Sequence, residues 1–133
     1  MTRLISIALV AAGGALGALA RWGVSSWVSQ RFYGAIPWGT FTVNTIGSFI
    51  LAFLAMSAEI GLVSPQLRVF AAIGFLGAFT TFSTFSVETL GLIRQGQYLN
   101  GFINIGIQII TGLLFAFLGL IAARALWTSL LKH

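Results

Sequence analysis

The chain has 133 residues, of which 58% are hydrophobic and only 7% charged, and its mean hydropathy is +1.00. About a quarter of the residues of a water-soluble domain carry charge, so this composition describes an integral membrane protein. Seven Lys or Arg against two acids leave a net +5 without any basic cluster, which argues against nucleic-acid binding. No cysteine is present for disulfides or thiolate metal sites, and the one histidine stands at the C-terminus.

Four spans are expected, since a helix of about 20 residues at 1.5 Å rise crosses a ~30 Å hydrocarbon core. The first covers about 4–28. Its start, MTRLISIALVAAGGALG, has the charge and apolar run of a signal peptide but no clear cleavage site, so it reads as a retained span. Within it, Gly13 with Gly17 and Gly14 with Ala18 recur at four-residue spacing, which permits close helix contact. The second span covers about 37–59, with Pro37 in its first turn. The third covers about 65–92 and the fourth about 99–127. The loops SQRFYGAI and RQGQY are too short to hold a soluble domain, so residues 1–133 form a single four-helix membrane unit. Trp27, Trp38 and Trp127 fall near span ends, where an aromatic belt belongs, and Trp22 lies deeper.

The charges bear on orientation. Arg3, Arg68, Arg124 and Lys132 share one side of the membrane, and Arg21, Arg31 and Arg94 the other. So balanced a count either sets one orientation weakly or lets the chain insert both ways and pair as an antiparallel dimer. Four short helices enclose little by themselves, which also favours an oligomer.

The centre of the third span reads GAFTTFSTFS, from Gly77 to Ser86. Glycine and hydroxyl residues are weak helix formers, and irregular backbone at membrane depth is tolerated only inside protein or beside a wet cavity. A break around Gly77 to Thr80 would turn carbonyl oxygens toward a cation; the alternative is a continuous helix whose hydroxyls bond back to its own carbonyls. Phe82 and Phe85 share a helical face, and their ring edges carry positive quadrupole that can meet a small anion, although plain packing is the commoner use. Ser83 and Thr84 add hydroxyl donors.

The second span places Asn44 inside the membrane, with Thr40 one turn earlier, and the fourth places Asn104 and Gln108 on one face. Three spans thus offer uncharged donors, and neither acid sits at a span centre. That set suits a weakly held anion better than a proton-coupled cation. Arg21, roughly 8 Å off the middle of its span, faces a vestibule or snorkels to the interface. Glu88, roughly 13 Å off-centre, reads as a pairing or interfacial residue, and Glu59 as solvated. A drug exporter of four helices needs an embedded carboxylate that is missing here. A scaffold subunit leaves the polar faces unexplained, and no nucleophile, base and orienting group converge to make an enzyme.

The runs GALARW, GTFTVN and GFLGAFTTFSTFSVET, in this order and spacing, resemble the Fluc/CrcB family of fluoride channels, and the resemblance covers essentially the whole four-span chain. It implies an all-α, dual-topology antiparallel homodimer in the bacterial inner or plasma membrane, with a broken third helix and two pores that let cytoplasmic fluoride leave passively. It implies a structural Na+ on the two-fold axis, held by the backbone carbonyls of Gly77 and Thr80 of each chain. Phe82 and Phe85 match the pore phenylalanines, Ser83 and Thr84 the hydroxyl track, Asn44 the pore asparagine and Arg21 the vestibule arginine. Where this chain has Asn104 some members have tyrosine, and where it has Gln108 some have a small hydroxyl residue. With Thr40, these two complete the expected pore set.

Overall fold

The computed structural model describes residues 2–130; Lys132, counted above among the charges, and His133 lie outside the described residues. All described elements are helical. Helix α1 runs Arg3–Arg31 and α2 runs Trp38–Glu59, so Pro37 is the residue before the second helix and not part of its first turn. In the third span, Pro65–Arg68, a π-helical stretch Val69–Leu76 and Gly77–Phe79 run on as residues 65–79, here α3. Helix α4 covers Phe82–Arg94 and α5 covers Tyr98–Leu130. Four helical segments are long and apolar enough to cross a membrane: Arg3–Arg31, Trp38–Glu59, Pro65–Arg94 and Tyr98–Leu130.

The turns between spans follow from local chemistry. Gly61 and Gly96, at φ +79° and +77°, end α2 and α4 in the left-handed conformation that glycine alone adopts without strain. In both, the following amide reaches back five residues: Leu62 to the Ser57 carbonyl at 2.8 Å, and Gln97 to that of Leu92 at 2.9 Å. Ser64 caps α3 by accepting from the Leu67 amide at 3.2 Å, with Pro65 in the first turn.

Helix α2 packs chiefly on α5, and α1 on the π-helical stretch of α3. Gly13 and Gly17 bring α1 so close that a Cβ on either would overlap the Phe70 or Phe75 carbonyl oxygen. The small-residue stripe of α1 is therefore used within the chain. The centre of the bundle is Val43, Leu76 and Phe79, with Ala20, Val24, Leu54 and Phe75 packed around them. This places the end of α3 against α2 at the centre of the bundle, where the polar residues gather.

Candidate functional site

Between α3 and α4 the helical geometry lapses for two residues. Thr80 (φ −84°, ψ 156°) and Thr81 (φ −152°, ψ 108°) are extended. The helical ladder stops at the Thr80 amide, which still donates to the Leu76 carbonyl at 3.0 Å. In a continuous helix the Thr81 amide would donate to Gly77 and the Thr84 amide to Thr80. Instead, the Thr81 amide donates to Asn44 Oδ1 at 2.8 Å, and the Thr84 amide to Thr81 Oγ1 at 3.2 Å. Both diversions are made by side chains. Asn44 imitates a peptide group, since its Nδ2 also donates to the Thr81 carbonyl at 3.2 Å. Thr81 caps α4 in the usual manner of a threonine at a helix start.

The lapse needs room on α2, and Gly47 supplies it, because a Cβ there would overlap Thr80 Cγ2. Thr80 Oγ1 donates back to Leu76 at 3.0 Å, which fixes its rotamer in that space. Gly47 was not among the residues singled out from the sequence; its signal was its place one turn beyond Asn44 on α2.

Gly77 and Thr80 thus both have carbonyls relieved of their regular helical donors. Gly77 is exposed, and the nearest atom a Cβ there would meet is the Ala72 carbonyl oxygen at 3.9 Å. Neutral carbonyl oxygens in open space fit a hard monovalent cation, which unwound backbone at membrane depth commonly holds.

A cavity of about 270 Å³ opens beside the lapse, lined by Arg21 from α1, Thr40 from α2, and Thr81 and Thr84, among others. Thr81 Oγ1 donates to Thr84 Oγ1 at 2.9 Å, so the Thr84 hydroxyl keeps its own proton free for another acceptor. Ser83 Oγ lies 3.3 Å from Thr81 Oγ1. Thr40 is committed elsewhere: its hydroxyl donates to Glu88 Oε1 at 2.9 Å, while Glu88 Oε2 is buried without a hydrogen-bond partner.

Phe82 and Phe85 form a tilted pair, 5.6 Å between centroids and 56° between planes. Phe85 is buried and Phe82 is 78% exposed, and neither is among the residues lining the cavity. Asn104 and Gln108 are buried on α5 and joined to Asn44: Asn44 Nδ2 donates to Gln108 Oε1 at 2.9 Å, and Gln108 Nε2 to Asn104 Oδ1 at 3.3 Å. Asn104 Nδ2 then donates to Thr89 Oγ1 at 2.9 Å. Thr89 was not anticipated from the sequence; it sits one turn beyond Phe85 on the inner face of α4.

These features define a multi-pass α-helical membrane protein with an uncharged, donor-rich interruption in its third span. The chain belongs to the family described as CrcB-like protein, Camphor Resistance (CrcB), whose model matches residues 8–120. A Geotalea uraniireducens (strain Rf4) protein named fluoride-specific ion channel FluC is 45% identical to it over 122 residues, 91% of this chain and 98% of that protein. Proteins of the same name from Sorangium cellulosum (strain So ce56) and Rhizobium meliloti (strain 1021) are 44% and 43% identical, covering 86% and 90% of this chain and 91% and 97% of their own length. This membership, with the four spans, makes the chain a multi-pass protein of the cell membrane.

Proposed function

We propose that the chain is a fluoride-selective passive channel, working as an antiparallel homodimer with two pores and a structural Na+ at its two-fold axis. The observation that carries this reading is the lapse at Thr80–Thr81, with exposed Ser83 and Thr84 beside a cavity that holds Arg21. Backbone of this kind cannot face lipid, so something must cover it or water must reach it. A second copy related by an axis in the membrane plane does both. The exposed Gly77 and Phe82 meet their counterparts, and the polar groups of each chain line one pathway. The names of the relatives supply the ion.

The pathway follows from the chemistry of the residues. Arg21 raises the local concentration of anions at the cavity without occupying the narrow part of the path. Thr84 offers a free hydroxyl proton and Ser83 stands next to it, both in the first turn of α4. Beyond them the edges of Phe82 and Phe85 give weak positive quadrupole. Thr40 lines the cavity from α2, and Asn44 backs the pathway with Gln108 and Asn104 of α5 buried behind it. A small anion must exchange tight hydration for donors that hold it loosely enough to release it, and hydroxyls and ring edges meet that need better than a lysine.

Na+, when bound, supplies one fixed positive charge between the two chains. The Gly77 and Thr80 carbonyls would hold it, since neither has its regular helical donor. The pathway itself involves only the side chains above. Hydrogen fluoride enters cells as the neutral acid and dissociates inside, so a passive pore lets fluoride leave down its gradient and with the negative-inside potential.

Planar-bilayer recording under opposed fluoride and chloride gradients tests the proposal. Current that reverses at the fluoride equilibrium potential is expected. Current reversing at the chloride potential, or none from folded protein, would overturn it.

A further inference from the structure

The amides on α5 do more than back the pathway. From Thr81 a single directed chain of hydrogen bonds runs through Asn44, Gln108, Asn104 and Thr89, and ends where Thr89 Oγ1 donates to the Phe85 carbonyl at 2.7 Å. Both ends are backbone groups of the third span, and they fix the orientation of every amide between them. The Thr81 N–H requires Asn44 to present its oxygen, so its nitrogen must face Gln108. Gln108 must answer with its oxygen, which turns its nitrogen to Asn104, and so on to Thr89. Gln108, Asn104 and Thr89 are 9%, 0% and 5% exposed, so water does not offer the amides substitute partners. Both protons of Asn44 Nδ2 are committed, one to the Thr81 carbonyl and one to Gln108.

We infer that Gln108 and Asn104 are positioning residues that act through Asn44 to keep Thr80–Thr81 extended, and that Thr89 anchors them to α4. Without Gln108, Asn44 Nδ2 loses a buried acceptor and its amide is free to turn. The Thr81 amide then returns to the Gly77 carbonyl, the helix runs on, and that carbonyl is no longer available. The inference rests on the site as described and is independent of which ion the protein conducts.

The test is NMR of the full chain in nanodiscs with labelled threonine, reading the 13Cα and 13Cβ shifts that separate extended from helical backbone at Thr80 and Thr81. Gln108→Met keeps the shape of the side chain and removes its amide, and Asn104→Leu does the same for the next link. In each, the helical population at Thr81 is expected to rise about three- to fifteenfold, the scale of one lost hydrogen bond inside a membrane protein. Thr128, at the far end of α5, should not change. Gln108→Glu keeps the acceptor for Asn44 and should restore most of the extended signal. Unchanged Thr81 shifts in both Gln108→Met and Asn104→Leu would overturn the inference, and a change in the first alone would remove Asn104 from it. If Gln108→Met does not fold, Asn104→Leu and the milder Thr89→Val decide in the same way.

Discussion

Replacing Asn44 by leucine removes three hydrogen bonds while nearly conserving volume: 2.8 Å from the Thr81 amide, 3.2 Å to its carbonyl and 2.9 Å to Gln108. Hydrogen bonds within membrane proteins contribute about 0.6 kcal/mol on average and up to about 1.7 each. The three together give a loss of about 2 to 5 kcal/mol, and the upper part of that range is expected because Thr81 is only 7% exposed. If only ~2 kcal/mol of this acts on the equilibrium between extended and helical Thr81, the extended form falls about 30-fold. Reversible unfolding in mixed detergent micelles measures the first quantity and fluoride efflux from liposomes the second. Asn44→Asp keeps the acceptor for the Thr81 amide and loses the donors, so it should lie between leucine and the parent chain. An Asn44→Leu protein with stability within 0.5 kcal/mol of the parent (roughly one weak bond) and undiminished flux would refute the role given to Asn44.

Gly47→Ala should force Thr80 out of its place and cost about 1–3 kcal/mol, read as a lower unfolding midpoint and a weaker dependence of dimer stability on Na+. Arg21→Gln should leave folding intact and lower fluoride flux several-fold at low ionic strength, with the difference shrinking as salt rises, because its action is long-range attraction. Phe82→Ile, at a residue 78% exposed in one chain, should reduce fluoride flux with little effect on the fold of the single chain; circular dichroism and efflux separate the two. Since the chain has no cysteine, Gln95→Cys provides a single label in the turn between α4 and α5. An impermeant thiol reagent should label half the molecules in intact cells and the remainder only after permeabilisation; labelling from one side alone would contradict dual topology.

The four apolar segments were legible because membrane depth demands long apolar runs, which the sequence carries openly. The weak helix formers from Gly77 to Thr84 likewise mark where the third span is least able to stay regular. What turns that weakness into a defined geometry was not legible. Asn44 and Thr81 are 37 residues apart, and nothing local says that this amide captures that backbone group. The same holds for Gly47, whose missing side chain makes sense only beside Thr80, and for Thr89, whose partner Asn104 lies across the Gly96 turn. The π-helical stretch VFAAIGFL is composed of ordinary apolar residues, and its widened turns lie against Gly13 and Gly17 of another helix. Thr40 was expected as a pore donor from its spacing to Asn44, yet its hydroxyl is bonded to Glu88, a pairing that sequence spacing does not contain.

The most direct measurement is efflux of fluoride and chloride, side by side, from liposomes holding the purified protein in Na+ buffer. Rapid loss of fluoride with negligible loss of chloride is the predicted result. Equal loss of both ions, or retention of fluoride by vesicles whose protein is folded and dimeric, would contradict the account.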